Sequence, residues 1–462
     1  MAFALKEGQG MIMKRVKIKN KEKTNESLIA YAMVLPAVVI ILAVALWPVL
    51  NSFWNSLFDL RLNHPTKNKV VLDYKIDLER FVDNQYYIKN TFRQMRASEK
   101  LNADPQKIDT IEANLDALKN DLSKMPDISD KYTQVTKILD DMKPVTDPEI
   151  RYAEISNDFA KRYFEEVEKA RLALKDLSLK NDDAADQAAS LMEELRTSIL
   201  EPNYIGLDNY KHFAKQLTVK DGKMGRLGKT LLNTVNITVT SVFLELVLGL
   251  MIALVINRTF KGRGLIRAAV LVPWAIPTVV SARMWAFLYD GQTGIVAHWL
   301  AELGIIKDSG VLLTTQLGAF CSIILADVWK TTPYMALLLL AGLQGISADL
   351  YEASNIDGAA RIQQFFKITL PLLKPTIVVA LLFRTLDAFR IFDLIYVLTG
   401  GGPGNTSESI SMYAYVTMFS QMEFGKGSTL SIIVFLCVSL ISIAYIKLLG
   451  ADVMGNRLES RG

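Results

Sequence analysis

Four charged residues recur at every third position inside an otherwise apolar run: Arg384, Asp387, Arg390 and Asp393. A charge in hydrocarbon is costly, so it ordinarily faces a cavity, a partner helix or a transported solute. At this spacing the alternating signs stack around one broad face of a helix. Glu245, Arg283, Asp327 and Lys330 stand in other apolar runs and can supply partners, which predicts a polar interior lined by several helices. Two readings follow. The run forms a translocation path that offers donors and acceptors to a polar solute, with Phe389, Phe392 and Tyr396 available to stack on sugar faces. Otherwise it is an ion-pair ladder that holds the bundle together or pairs with a second membrane subunit.

Other chemistry is poorly represented. Gly228-Lys229-Thr230 resembles the end of a phosphate-binding loop, but that loop needs a glycine five positions before Gly228, where this chain has Lys223. Thr399-Gly400-Gly401-Gly402-Pro403-Gly404 carries no Lys-Ser/Thr pair and reads as a tight loop. His64, His212 and His298 are scattered, with no Cys or paired carboxylates at ligand spacing, so no metal site is expected. A nucleophile motif of the Gly-x-Ser-x-Gly kind is missing. Cys321 and Cys437 lie in apolar stretches, which argues against a disulfide framework. No basic patch interleaved with aromatics suggests nucleic acid. Catalysis by the chain itself is therefore disfavoured.

The elements that must position the charges are membrane spans. Half of the 462 residues are apolar and the mean hydropathy is +0.21, too high for an ordinary soluble protein and too low for bare spans. A span takes about 20 apolar residues. Leu28 to Leu50 meets that without a charge and reads as a retained anchor, followed by Leu231 to Ile256, Ala268 to Leu288, Pro375 to Leu398 and Leu430 to Leu449. Leu312 to Leu343 is longer and is interrupted by Asp327, Lys330 and Pro333, so it is expected to be one kinked or broken span. Six spans place the basic tail from Lys14 to Lys23 and the turn holding Arg258, Lys261, Arg263 and Arg267 on the cytoplasmic side, with Lys447, Arg457 and Arg461 beside them. Both termini are then cytoplasmic.

The stretch from 62 to 203 falls outside by the same parity. Ile108, Ile111, Leu115, Leu118, Leu122 and Met125 alternate three and four apart, as in a coiled-coil seam. Tyr152, Ile155, Phe159, Tyr163, Val167, Ala170, Leu174 and Leu177 form a second stripe, and Ala188, Leu191, Leu195 and Ile199 a third. Asp104-Pro105 and Asp147-Pro148 read as helix starts. The stretch is expected to be an antiparallel helical bundle, either docking an external partner or serving as a spacer.

Between the fourth and fifth spans the chain reads Glu352-Ala353-Ser354, three residues, Gly358, nine residues, Ile368-Thr369-Leu370-Pro371. This resembles the EAA loop of binding-protein-dependent ABC importer permeases, with Ser354 in place of the second Ala. Tyr351, Ala359 and Ile362 can form an apolar face, Gly358 lets the backbone turn, and Pro371 and Pro375 close the element before the next span. The bland alternative is an amphipathic connector. Asn203-Tyr204-Ile205-Gly206-Leu207-Asp208-Asn209-Tyr210, Asn233-Thr234, Asp327-Val328-Trp329 and Thr399-Gly400-Gly401-Gly402-Pro403 are similar to the larger, F-type permease of maltose-type carbohydrate importers.

The resemblance implies an all-α membrane protein with six transmembrane helices of the type I ABC importer kind and an extracytoplasmic helical, coiled-coil-like insertion between spans one and two. It would comprise a cytoplasmic tail (1–27), span one (28–61), the insertion (62–203), a core permease domain (204–449) with the coupling loop at 349–374, and a second cytoplasmic tail (450–462). Implied partners are a second permease, two ATPase subunits that carry ATP and Mg, an extracytoplasmic sugar-binding protein and the lipid of a bacterial cytoplasmic membrane. Glu352, Ala353, Ser354, Gly358, Ile368, Leu370 and Pro371 would meet the ATPase, with Glu352 pairing a basic group there. Rivals are a permease for a non-sugar solute and a membrane sensor with an external bundle. A sensor would have two spans and a cytoplasmic signalling domain.

Overall fold

The computed structural model describes residues 31–97, 105–178, 183–220 and 223–459. The basic tail, the first residues of span one, Asp104 and Arg461 lie outside them. The chain divides into two compact units, residues 1–55 and 56–462. Helix α1 (Tyr31–Ser56), which ends at their boundary, carries no charge and is apolar and long enough to cross a membrane.

In the second unit, the segment after Ser56 is woven into the chain that returns from the insertion. Asp59 N–H donates to the Asn203 carbonyl at 2.9 Å, and Phe58 pairs with Tyr204 in an antiparallel bridge. The Asn203 side chain accepts from Val71 N–H at 2.9 Å and donates to the Lys69 carbonyl at 2.8 Å. One buried amide thus holds both strands of the insertion's root.

The insertion is built from α2 (Leu78–Ala97), α3 (Pro105–Ser123), α4 (Pro126–Asp140), α5 (Asn157–Ser178) and α6 (Asp183–Arg196). The apolar stripes converge on one core that includes Phe81, Phe92, Ile108, Leu122, Tyr163, Leu174 and Leu195. Each such side chain contributes about 1.5–3 kcal/mol when fully buried. Tyr163 keeps its hydroxyl satisfied by donating to the Leu195 carbonyl at 2.8 Å.

The bundle is not purely helical, which corrects the sequence expectation. Strands β1 (Lys75–Asp77), β2 (Tyr152–Glu154) and β3 (Ile199–Leu200) form an antiparallel sheet in the order β2-β1-β3. Tyr152 and Ile199, placed on helical stripes by their spacing, are strand residues. Asp147 does cap a helix, accepting from Glu149 N–H at 2.9 Å, but this is the single turn Pro148–Arg151 before β2.

Beyond α7 (Asp208–Leu217), four further helices are long and apolar enough to span: α8 (Arg226–Asn257), α12 (Gln316–Gln344), α14 (Arg361–Phe389) and α17 (Phe424–Glu459, apolar to Lys447). With α1 that makes five among the described residues, or six if the bent pair α9 (Arg263–Ala275) and α10 (Thr278–Leu288) is one span. The pair bends by 88°, where Ile276 leaves the helical region and Pro277 precedes α10. The short α11 (Ile295–Glu302) precedes α12, and α13 (Ala348–Ile356) precedes α14. Helix α17 is helical to Glu459, so the tail expected from 450 is helix up to that residue.

Leu312 to Leu343 holds one span, as expected, and of the two forms expected for it, kinked or broken, the broken one is excluded, because α12 is one helix through Pro333. In the preceding turn the Thr331 and Thr332 hydroxyls lie 2.6 Å from the Asp327 and Val328 carbonyls, so each is satisfied within its own helix. Pro371 and Pro375 do not close the segment after Glu352 as expected, which is a correction. Helix α14 already starts at Arg361, and a π-type stretch, Phe365–Thr369, leads into Pro371. The wider turn relieves the clash a proline ring makes with the preceding turn.

Candidate functional site

Helices α8, α12 and α14 enclose a charge cluster centred on Arg384. Small residues permit the close approach. A Cβ on Gly249 would lie 2.8 Å from Met335, and one on Gly342 would lie 2.5 Å from Thr376. Arg384 has 2% of its side chain exposed and directs its guanidinium at three carboxylates. Nε and Nη2 grip both oxygens of Glu245, the second at 2.9 Å. Nη2 also bonds Asp327, and Nη1 reaches Asp387 at 3.1 Å. The Thr331 hydroxyl, 2.8 Å from Glu245 Oε1, divides its one proton between that oxygen and the Asp327 carbonyl.

Glu245 is fully buried, whereas Asp387 has 68% of its side chain exposed. The cluster therefore passes from a dry end to a wet one. The wet end opens on a cavity of about 470 Å³ lined by Trp274, Lys330, Arg390, Phe392 and Asp393 among others. Lys330 is only 9% exposed and makes no ion pair among the described residues, so its ammonium depends on the cavity. Trp274 stacks on Tyr334 with ring centroids 5.6 Å apart. The cavity thus offers charged donors, carboxylate acceptors and aromatic surface together.

The four charges are not the single ladder their spacing suggests. Helix α14 stops at Phe389, and Arg390 caps it, with Nε donating to the Leu386 carbonyl at 3.1 Å. After the break, Asp393 begins α15 (Asp393–Leu398), a position where a carboxylate complements the helix dipole. Phe389 is 4% exposed and packs with Phe213, Leu227 and Tyr413, away from the cavity, which corrects its expected stacking role. Arg283 is exposed on α10 and joins no ion pair among the described residues. Tyr396 is half exposed and packs against Phe392 at a tilt and against Tyr415 edge-on. Trp274 and Thr331 were not singled out from the sequence. An isolated Trp or Thr in an apolar run carries no periodic signal.

The segment from Ser347 to Pro371 lies apart from this cluster. Ser347 caps α13 by accepting from Asp349 N–H at 3.3 Å. Glu352 and Ala353 are exposed, and Gly358 turns the chain at φ +76°, in the left-handed region. Tyr351 is half-buried, its hydroxyl 2.9 Å from that of Thr369, and it lines a cavity of about 710 Å³ together with Ile362 and Phe366. Leu350, Ile356, Ile362 and Phe366 are the exposed apolar residues there. Ser354 accepts from Gln364 Nε2 at 2.9 Å, tying α13 to the start of α14, and Ile368, Leu370 and Pro371 lie within α14.

The family described as binding-protein-dependent transport system inner membrane component matches residues 245–453, from Glu245 through α13 and α14 into α17. Over 251 residues the chain is 47% identical to the trehalose/maltose transport system permease protein MalF of Thermococcus litoralis, spanning 54% of this chain and 81% of that one. It is 43% identical over 270 residues to the trehalose transport system permease protein SugA of Mycobacterium tuberculosis, spanning 58% and 82%. It is 38% identical over 253 residues to the sulfoquinovosyl glycerol transport system permease protein SmoG of Agrobacterium fabrum, spanning 55% and 79%.

Proposed function

The chain belongs to the binding-protein-dependent transport system inner membrane components, and from that premise we propose that it is the permease subunit of a sugar importer, forming half of the translocation path for a saccharide of the trehalose or maltose kind. The observation that carries the reading is the polar cavity beside Arg384, within helices otherwise apolar enough to span a membrane. Lys330, Arg390 and Asp393 supply donors and acceptors suited to a polyol, and Trp274 and Phe392 supply flat apolar surface.

In this reading the chain hydrolyses nothing itself. ATP and Mg bind the partner ATPase subunits, α13 docks in the ATPase through Glu352, Ala353 and Ser354, and Gly358 sets the angle at which α14 leaves. A second permease completes the path, an external binding protein delivers the sugar, and the insertion (62–203) faces outward to meet it. Both termini are cytoplasmic. Closure of the ATPases rocks the permease halves by displacing α13 and, with it, the spans that hold the charge cluster.

The test is uptake of radiolabelled trehalose and maltose by the complex in proteoliposomes, with ATP hydrolysis measured in parallel. Gly358→Pro is expected to abolish sugar-stimulated hydrolysis, and Asp393→Asn to lower uptake while the complex still assembles. Normal stimulation in Gly358→Pro would overturn the coupling assignment. Uptake of a non-sugar solute, with none of either sugar, would overturn the cargo.

A further inference from the structure

A series of five aromatic rings starts at the cavity wall and leads away from it. Phe392 lines the cavity, and its ring centroid lies 4.7 Å from that of Tyr415 and 5.4 Å from that of Tyr396. Tyr415 is 5.0 Å from Phe419, and Phe419 is 5.7 Å from Phe424. The rings come from separate elements: the residue before α15, α15 itself, α16 (Ile410–Tyr415) with the π-type turn Val416–Ser420, and the first residue of α17. Three stretches of chain therefore converge to make one aromatic surface.

Its far end lies at the root of the insertion. Phe424 stands between Met422, whose carbonyl accepts from Leu62 N–H at 2.9 Å, and Gly425, whose N–H donates to the Leu60 carbonyl at 3.0 Å. The rings are not core filling. Tyr396 is 46% exposed and Phe419 53%, whereas Phe389 in the neighbouring core is 4% exposed. Rings that serve only packing would be covered as Phe389 is.

We infer that this series is a stacking lane for pyranose rings, leading from the root of the insertion to the cavity. The inference rests on the sugar reading above. A pyranose presents an apolar C–H face and a rim of hydroxyls. The aromatic faces match the first, and the phenols of Tyr396 and Tyr415, with Arg390 and Asp393 at the cavity end, match the second. Continuity with the cavity through Phe392 sets the lane apart from an aromatic belt at the membrane surface, which needs no connection to a polar interior.

The experiment measures trehalose uptake kinetics for the complex in proteoliposomes carrying Tyr415→Ala, Tyr415→Phe or Phe419→Leu. Loss of a stacked ring is expected to raise KM about fivefold, with kcat nearly unchanged, in Tyr415→Ala and Phe419→Leu. Tyr415→Phe, which keeps the ring, is expected to stay near the parent. If Tyr415→Ala does not assemble, the half-exposed Phe419→Leu decides. An unchanged KM, or variants that alter only yield in the membrane, overturns the lane while leaving the sugar reading intact. Failure of the parent complex to take up any saccharide overturns both.

Discussion

Two arginines anchor the two halves of this molecule, and they are treated differently. In the insertion, Arg151 bonds Asp77 through Nε at 3.0 Å and Nη2 at 2.7 Å and also reaches Glu79, while Arg80 approaches Asp77 at 3.6 Å. Two carboxylates meet two guanidiniums, and Arg151 keeps a quarter of its side chain exposed. Burial pulls its pKa down, but the bonds to Asp77 outweigh that and hold the cation more firmly than usual. In the spans, Arg384 meets three carboxylates and has almost no exposure. The first network staples a turn to a strand where water remains close. The second keeps an excess of acid in a place where apolar packing would be as stable or more so. A cluster that packing does not require points to function, and the cavity at its wet end says where.

The comparison is tested most severely by removing each arginine in turn. Arg384→Ala leaves Glu245 and Asp327 buried without their cation and is expected to cost about 3–5 kcal/mol, read as a large fall in the thermal unfolding temperature of the purified protein. Arg151→Ala leaves the buried Asp77 with Arg80, 3.6 Å away, as its remaining cation, and should cost about 1.5–3 kcal/mol. Equal losses would break the distinction between a dry and a hydrated network.

A smaller effect on stability, with a larger one on transport, is expected when the whole dry cluster is neutralised. Arg384→Met with Glu245→Met and Asp327→Leu removes the charges together, and replacement by apolar residues of similar volume is often neutral or stabilising by about 1–4 kcal/mol. The triple variant should fold and assemble yet fail to take up trehalose. Retained uptake would reduce the cluster to an ion-pair ladder.

How far the sequence revealed this arrangement depends on whether a signal is local. The spans, the insertion's helices and the individual charges Glu245, Asp327, Arg384 and Asp387 were legible, because apolar length and a lone charge in hydrocarbon speak for themselves. Breaks were not. Pro333 sits among charges and threonines and leaves α12 whole, whereas Pro273 and Pro277, in a run without any such warning, flank the 88° bend. A proline alone therefore does not tell a continuous helix from a bend, because tertiary packing decides whether the helix carries on past it. The sheet was missed because strands of two or three residues carry no period. Phe389 was misjudged because a single residue step separates a cavity wall from a core: its neighbours Ala388 and Arg390 line the cavity and it does not.

The mildest test is acid, and it probes the wet side of the comparison alone. At the insertion's root, burial raises the Asp59 carboxyl, but hydrogen bonds from Lys67 at 2.5 Å and Arg61 at 2.7 Å more than offset it, so its pKa lies below the ordinary 3.8. A carboxyl with a depressed folded-state pKa contributes stability that is fully present above the unfolded value and is lost as pH falls through the folded one. On α2 the sign is opposite. Burial and the nearby Glu79 and Asp77 push Asp83 above 3.8, so protonation there relieves the fold as pH falls through that higher value. Acidification should first tighten the insertion slightly and then, below 3.8, loosen its root. Each change should stay below about 1 kcal/mol, the usual worth of a hydrated pair. Amide exchange at Val71 and Asn203 as a function of pH reads the root directly, and Asp59→Asn should remove the lower transition while leaving the upper one. A single monotonic loss, unaltered by Asp59→Asn, would show that the root is held by the Asn203 amide alone.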